Sequence, residues 1–183
     1  MQKPDTFKTH ATLAEYVYGG MDGIITTFAI IAGATGGNLP PQVIIILGLS
    51  NVIADGYSMA VSRFESVTTE TAQGYIEGKK PLDSAVATFL SFILFGIIPL
   101  LPFIFMLPVF PFTPFTYNRA KITSLSIALI LFFVIGYMKD DPNTSHKTPL
   151  TSGLQTLALG VSAAFISYII AHLLANHLVK QMA

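Results

Sequence analysis

A helix that crosses the roughly 30 Å hydrocarbon core of a bilayer needs about 20 predominantly apolar residues. This chain of 183 residues carries five such stretches, at about 16–37, 42–64, 82–107, 120–138 and 152–178. Little sequence is left over, so they predict a single all-α membrane domain over 1–183 with five transmembrane helices. Composition agrees, since 52% of the residues are hydrophobic and 11% are charged, against about 25% charged in a soluble domain. Ten basic and ten acidic residues cancel, and no basic stripe offers itself to a phosphate backbone, which sets nucleic acid aside as a partner. The bilayer is the partner that composition demands. The chain has no cysteine, which removes thiolate nucleophiles, disulfides and thiolate metal sites. The polar start, Met1 to Glu15, lacks the basic head and uninterrupted apolar core of a cleavable leader, so the mature chain is expected to begin at or near Met1.

Connections and charge give topology. Asn38-Leu-Pro-Pro41 is a tight turn, so the first two helices should form an antiparallel hairpin and pack as neighbours. Pro99 and Pro102 should kink the third helix near its far end, and Pro108, Pro111 and Pro114 should keep the following loop irregular. Phe103, Phe105, Phe110, Phe112, Phe115 and Tyr117 fit an interfacial aromatic zone. With the N-terminus inside, Lys3, Lys8, Arg63, Lys79, Lys80, Lys139 and Lys147 fall on the cytoplasmic side and Arg119, Lys121 and Lys180 outside. That bias predicts a cytoplasmic N-terminus and an external C-terminus.

Away from the helix ends the spans hold two ionisable residues, Asp22 and Asp55. A lone Asp at the bilayer centre costs on the order of 3 kcal/mol, so the two imply pairing, hydration, protonation or metal ligation. At 1.5 Å per residue they lie roughly 9 and 13 Å from the cytoplasmic ends of neighbouring helices, nearly level. Glu15 stands two turns before Asp22, while Asn51, Asp55 and Met59, spaced four and four, form a polar stripe on the second helix. Carboxylates suit hard divalent cations and a thioether is soft, so Asp22 and Asp55 with Met59, and Met21 beside them, would favour a first-row transition metal over Mg²⁺ or Ca²⁺. Core filling is the ordinary role of both methionines, and a buried hydrogen bond that of an Asp. Gly19 with Gly23, and Gly33 with Gly37, let helices approach closely. Their partner is either a second copy of the first helix or a neighbour within the subunit. Glu65, Glu70 and Glu77 ordinarily form a solvated face, with a metal-attracting vestibule as the alternative. His10, His146, His172 and His177 have no partner at ligand spacing.

The run from Tyr18 through Gly-Gly-Met-Asp22-Gly to Gly33, and the run from Gly48 through Asn51-Val-Ile-Ala-Asp55-Gly-Tyr-Ser-Met59 to Ala60, resemble the vacuolar iron transporter family. The likeness continues through Pro99-Leu-Leu-Pro102-Phe and Ser152-Gly-Leu-Gln155-Thr-Leu, covering nearly the whole chain. It implies a homodimer of five-helix subunits with first helices near the two-fold axis, exporting Fe²⁺, and often Mn²⁺, from the cytosol in exchange for protons. The metal is then substrate rather than cofactor, and the chain is no enzyme. The resemblance places Asp22, Met59 and Glu15 on the transport path, in the cytoplasmic membrane of a prokaryote or the vacuolar membrane of a eukaryote. It also exposes departures. The connection after the second helix is too short for the Glu- and Met-rich insertion of plant and parasite relatives, as in short bacterial members. Asn51 stands where those relatives have Glu, and Asp55 where they often have Gly. Gln155 replaces a Glu expected in bacterial members, which removes a candidate proton carrier from the fifth helix. Two competing readings are an intramembrane aspartyl protease using Asp22 and Asp55, and a non-transporting scaffold. The protease reading lacks a Gly-x-Gly before Asp22 and gives Met59 no role, and the scaffold gives neither Asp a reason.

Overall fold

The computed structural model describes residues 6–76, 78–109, 113–139 and 148–182, with side chains for 13–76, 78–106, 113–139 and 148–178. The helices are α1 (Thr6–Gly36), α2 (Pro41–Ala72), α3 (Pro81–Ile97), α4 (Leu101–Val109), α5 (Pro114–Met138) and α6 (Pro149–Met182), and no strand occurs among the described residues. Five spans are long and apolar enough to cross a membrane: Leu13–Gly36, Pro41–Ala72, Pro81–Met106, Pro114–Met138 and Pro149–Leu178. Their outer surfaces are Leu, Ile, Val and Phe, as lipid requires; Leu94, Phe105, Ile130, Phe165 and Leu173 are among the exposed side chains.

Helix ends follow local chemistry. After α1, Asn38 takes a positive φ of 55°, a conformation that Asn tolerates better than most residues, and Leu39 N–H bonds back to the Ala34 carbonyl at 2.8 Å. Pro41, whose missing N–H costs nothing at a helix start, then opens α2. The second helix runs eight residues beyond Phe64, because nothing in Glu65 to Ala72 breaks it; the seventeen-residue connection read from sequence shrinks to Gln73–Lys80. At 32 residues, α2 is roughly 48 Å long, so its last turns project past the hydrocarbon. The fifth-helix start moves likewise: Thr113 caps α5 and Pro114 begins it, six residues before the expected Ala120.

Proline breaks the third span as anticipated. A 3₁₀ turn, Ile98–Leu100, separates α3 from α4. At this break the Pro99 carbonyl accepts a hydrogen bond from buried Ser124 Oγ at 2.6 Å, a neighbouring helix satisfying a polar group that lipid cannot. Ser124→Ala should therefore cost about 1–2 kcal/mol, read as a lower melting temperature of the purified protein. Two expectations need correction. Pro108 lies within α4 rather than in a loop, the end of a short helix tolerating it. Phe103 is 1% exposed and packs edge-on against Tyr117 at 6.3 Å, so it is core rather than interfacial belt; Phe105 and Phe115 do face outward. Pro111, Phe110 and Phe112 lie outside the described residues.

The first helix is the centre of the bundle. It packs most extensively on α3 and α6 and less on α2, and its glycines explain why. A Cβ on Gly19 would stand 2.5 Å from the Thr88 carbonyl, one on Gly23 3.1 Å from Gly96 N, and one on Gly33 2.6 Å from Ser167 Oγ. Small residues on α3, Ser84, Ala85, Ala87, Thr88, Ser91 and Gly96, complete the near-backbone approach. On the other side, Ser167 Oγ donates to the Ala29 carbonyl at 2.7 Å. The glycine ladder of α1 thus serves its own subunit, α3 at one end and α6 at the other, rather than a copy of itself. His172 adds a tie, its Nδ1 lying 3.3 Å from the Gly36 carbonyl.

Candidate functional site

α3 packs against both α1 and α2, and α1 and α2 face each other at their Glu15 and Arg63 ends. The space between them is a cavity of about 480 Å³ lined by Ala14, Glu15 and Tyr18 of α1 and by Ser58, Met59, Ser62, Arg63 and Ser66 of α2. Helical periodicity makes this wall: Ser58, Ser62 and Ser66 recur every four residues, and Met59 and Arg63 follow one position later.

Deeper along the same helices, Asp22 and Asp55 are half-buried and lie within electrostatic reach of one another. Asn51 Nδ2 donates to Asp55 Oδ2 at 2.5 Å, so the polar stripe on α2 is wired at its inner end. Thr26 Oγ1 donates to the Asp22 backbone carbonyl at 2.7 Å, leaving the carboxylate to its neighbours. Thr27, fully buried, has no hydrogen-bond partner for its hydroxyl among the described side chains; a Cβ on Gly96 would meet that oxygen at 3.4 Å and Val52 at 3.2 Å, which fixes Thr27 at the junction of α1, α2 and α3.

Glu15 is in a different state from the aspartates. It is 3% exposed, and its Oε1 accepts from Arg63 Nε at 3.0 Å and Nη2 at 2.8 Å and pairs with Lys79 Nζ at 2.5 Å. Arg63 is held in turn by Glu70, 3.6 Å from Nη1, and Ser66 Oγ donates to Glu70 at 2.7 Å. A buried carboxylate needs such compensation, since an unpaired charge out of water is costly.

The structure therefore brings the sequence candidates together in two groups. Glu15 and Met59 share the cavity; Asp22, Asp55 and Asn51 lie beyond it. Met21 belongs to neither, packing against the cluster of Ile24, Phe28, Ala128 and Phe132. Among the described residues no three His, Asp or Glu side chains converge as a ready-made cation site. Of the three glutamates after Phe64, Glu70 is tied to Arg63, Glu65 is exposed and Glu77 lies outside the described residues. Sequence reading missed Arg63 and Lys79 as members of the site. Seven residues separate Arg63 from Glu70, two helical turns, but only the longer α2 makes that spacing meaningful; nothing local points Lys79 at Glu15.

Residues 13–76 and 68–172 match the VIT family. The chain is 41% identical over 58 residues to a vacuolar iron transporter of Plasmodium berghei, covering 32% of this chain and 21% of that protein. It is 22% identical over 227 aligned positions to vacuolar iron transporter 1 of Tulipa gesneriana, covering 90% and 88%. Against vacuolar iron transporter homolog 3 of Arabidopsis thaliana it is 27% identical over 187 positions, covering 94% and 88%. The match to the parasite protein thus spans about a fifth of that protein's length.

Proposed function

This chain belongs to the VIT family, and from that premise we propose that it moves a divalent transition metal, Fe²⁺ or Mn²⁺, out of the cytosol in exchange for protons. The observation that carries the reading is the pair Asp22 and Asp55, two half-buried carboxylates within spanning helices and within electrostatic reach of each other. Membrane carboxylates are expensive and mark ion paths. Above them, the hydroxyl-lined cavity bearing Met59 and Glu15 supplies a hydrated entry in which a metal can shed water stepwise. Asn51 holds Asp55 in place, and Met21 is assigned to packing. The lysine and arginine bias puts the cavity mouth and the projecting end of α2 on the cytosolic side. The relatives' names carry the vacuole; the same reading puts this chain in a vacuolar membrane, or in the cytoplasmic membrane of a cell without vacuoles.

A homodimer is part of the proposal. With Gly19 and Gly23 committed to α3, the seam falls to the exposed small residues Ser50, Ala54, Ser58 and Ser62 of α2, spaced four apart and suited to close helix approach in lipid. A second copy there would close the open side of the cavity.

Metal uptake into proteoliposomes tests the reading, and Met59 tests its chemistry. Met59→Leu keeps volume and apolarity, which costs under about 1.5 kcal/mol of folding, but deletes the soft donor. Transport of Fe²⁺ or Mn²⁺ should fall several-fold while competition by Mg²⁺ and Ca²⁺ strengthens. Unchanged discrimination in the variant would make Met59 a packing residue.

A further inference from the structure

The charge cluster at the cavity mouth contains a cation that is already in place. Lys79 Nζ sits 2.5 Å from Glu15 Oε1, on a carboxylate that is 3% exposed. An ammonium there stands where a metal ligated by Glu15 would stand. Glu15 and Glu70 carry two negative charges, and Arg63 and Lys79 two positive ones, so the cluster is neutral as it stands. A dication entering it meets two cations within a few ångströms, and the repulsion is severe in a partly desolvated site. One of the two must leave.

The geometry says which. Arg63 engages Glu15 through two nitrogens, is braced by Glu70 and reaches Ser66 Oγ at 3.4 Å, all from a continuous helix. Lys79 is a point charge on a flexible stem, placed in the stretch between α2 and α3 rather than on a helix, and ammonium is more readily rehydrated than displaced guanidinium is re-paired. We propose that Lys79 is a displaceable latch: its ammonium holds Glu15 until a divalent cation takes its place, while Arg63 stays and positions the carboxylate. The inference rests on the metal-transport reading for the identity of the displacing ion, and it makes entry an exchange of one cation for another, with Lys79 swinging into water.

Lysine acetylation of the purified protein in nanodiscs, followed by mass spectrometry, reads the latch directly. Lys80 is exposed and serves as internal standard, whereas the Lys79 side chain is 16% exposed. Without metal, Lys79 should react far more slowly than Lys80. Saturating Mn²⁺ should raise the Lys79 rate about tenfold, as expected for a ligand that selects the open state, and leave Lys80 unchanged. Glu15→Gln should free Lys79 without Mn²⁺ and abolish the response to it. Lys79→Gln should lower the Mn²⁺ concentration that half-saturates uptake. If Lys79 reacts as fast as Lys80 in the metal-free protein, or if Mn²⁺ leaves its rate unchanged, the latch is overturned, and the wild-type measurement decides this alone should Glu15→Gln fail to fold. The two readings separate cleanly. Mn²⁺ that frees Lys79 without any uptake into proteoliposomes supports the latch and overturns transport; uptake with an unresponsive Lys79 does the reverse.

Discussion

Asp22→Asn is expected to reduce divalent-metal transport by at least about 100-fold, a loss of about 2.7 kcal/mol in binding the ion. The substitution keeps the shape of the side chain and the backbone carbonyl that Thr26 caps, so assembly and thermal stability should be close to wild type. What changes is charge. A dication leaving water must recover its hydration energy from fixed ligands, and a neutral amide oxygen recovers far less than a carboxylate where the dielectric is low. Asp55→Asn should show a comparable loss, because the two carboxylates lie in spanning helices and within electrostatic reach of one another. Initial rates of Mn²⁺ uptake into proteoliposomes, normalised to protein in the membrane, are the measurement. Wild-type rates in both variants would remove the pair from the path and leave the cavity residues Glu15 and Met59 as the site.

The second large effect concerns assembly. Gly23→Leu should prevent the subunit from folding to a well-packed state. Its Cβ would fall against the Phe92 carbonyl and 3.1 Å from Gly96 N, both backbone atoms that cannot swing aside. Overpacking of a well-filled core costs about 1–3 kcal/mol even where side chains can adjust, and here the whole α1–α3 contact must separate. Between apolar helices in lipid, close packing is the main attraction, so the loss is not offset elsewhere. The expected result is aggregated or poorly melting protein by size-exclusion and thermal unfolding. A monodisperse, normally melting variant that had merely lost its dimer would instead place Gly23 on an interface between copies. The opposite is expected at Gly74, which has a positive φ of 74° and open space around it: Gly74→Ala should shift the melt only slightly, through strain in a solvent-facing turn.

Much of the architecture was legible in the sequence because lipid reduces the choices. A spanning segment must be helical to satisfy its own backbone, so hydrophobic length alone placed five helices, and Pro99 with Pro102 placed the break in the third. Ends were less legible. Hydropathy stops where polarity begins, at Phe64, whereas the helix continues through Glu65 to Ala72 because helix propensity does not require apolar residues. The candidates Asp22, Asp55, Asn51 and Met59 could be found from cost and spacing, since a carboxylate inside a membrane segment announces itself and residues four apart share a face.

Which groups meet was a matter of tertiary structure. The small-xxx-small pairs of α1 said that something packs there; only the fold chose α3 and α6 over a second α1, because the matching small residues Ser84, Thr88, Ser91 and Gly96 lie on a helix more than sixty residues away. In the sequence Glu15 stands two turns before Asp22, and the fold made it the buried centre of an ion cluster. Arg63 reaches it across 48 positions of sequence, and Lys79 across still more. Periodicity reports on one helix at a time. Charge compensation between helices depends on how α1, α2 and the stretch before α3 come together, which no single helix's pattern reports.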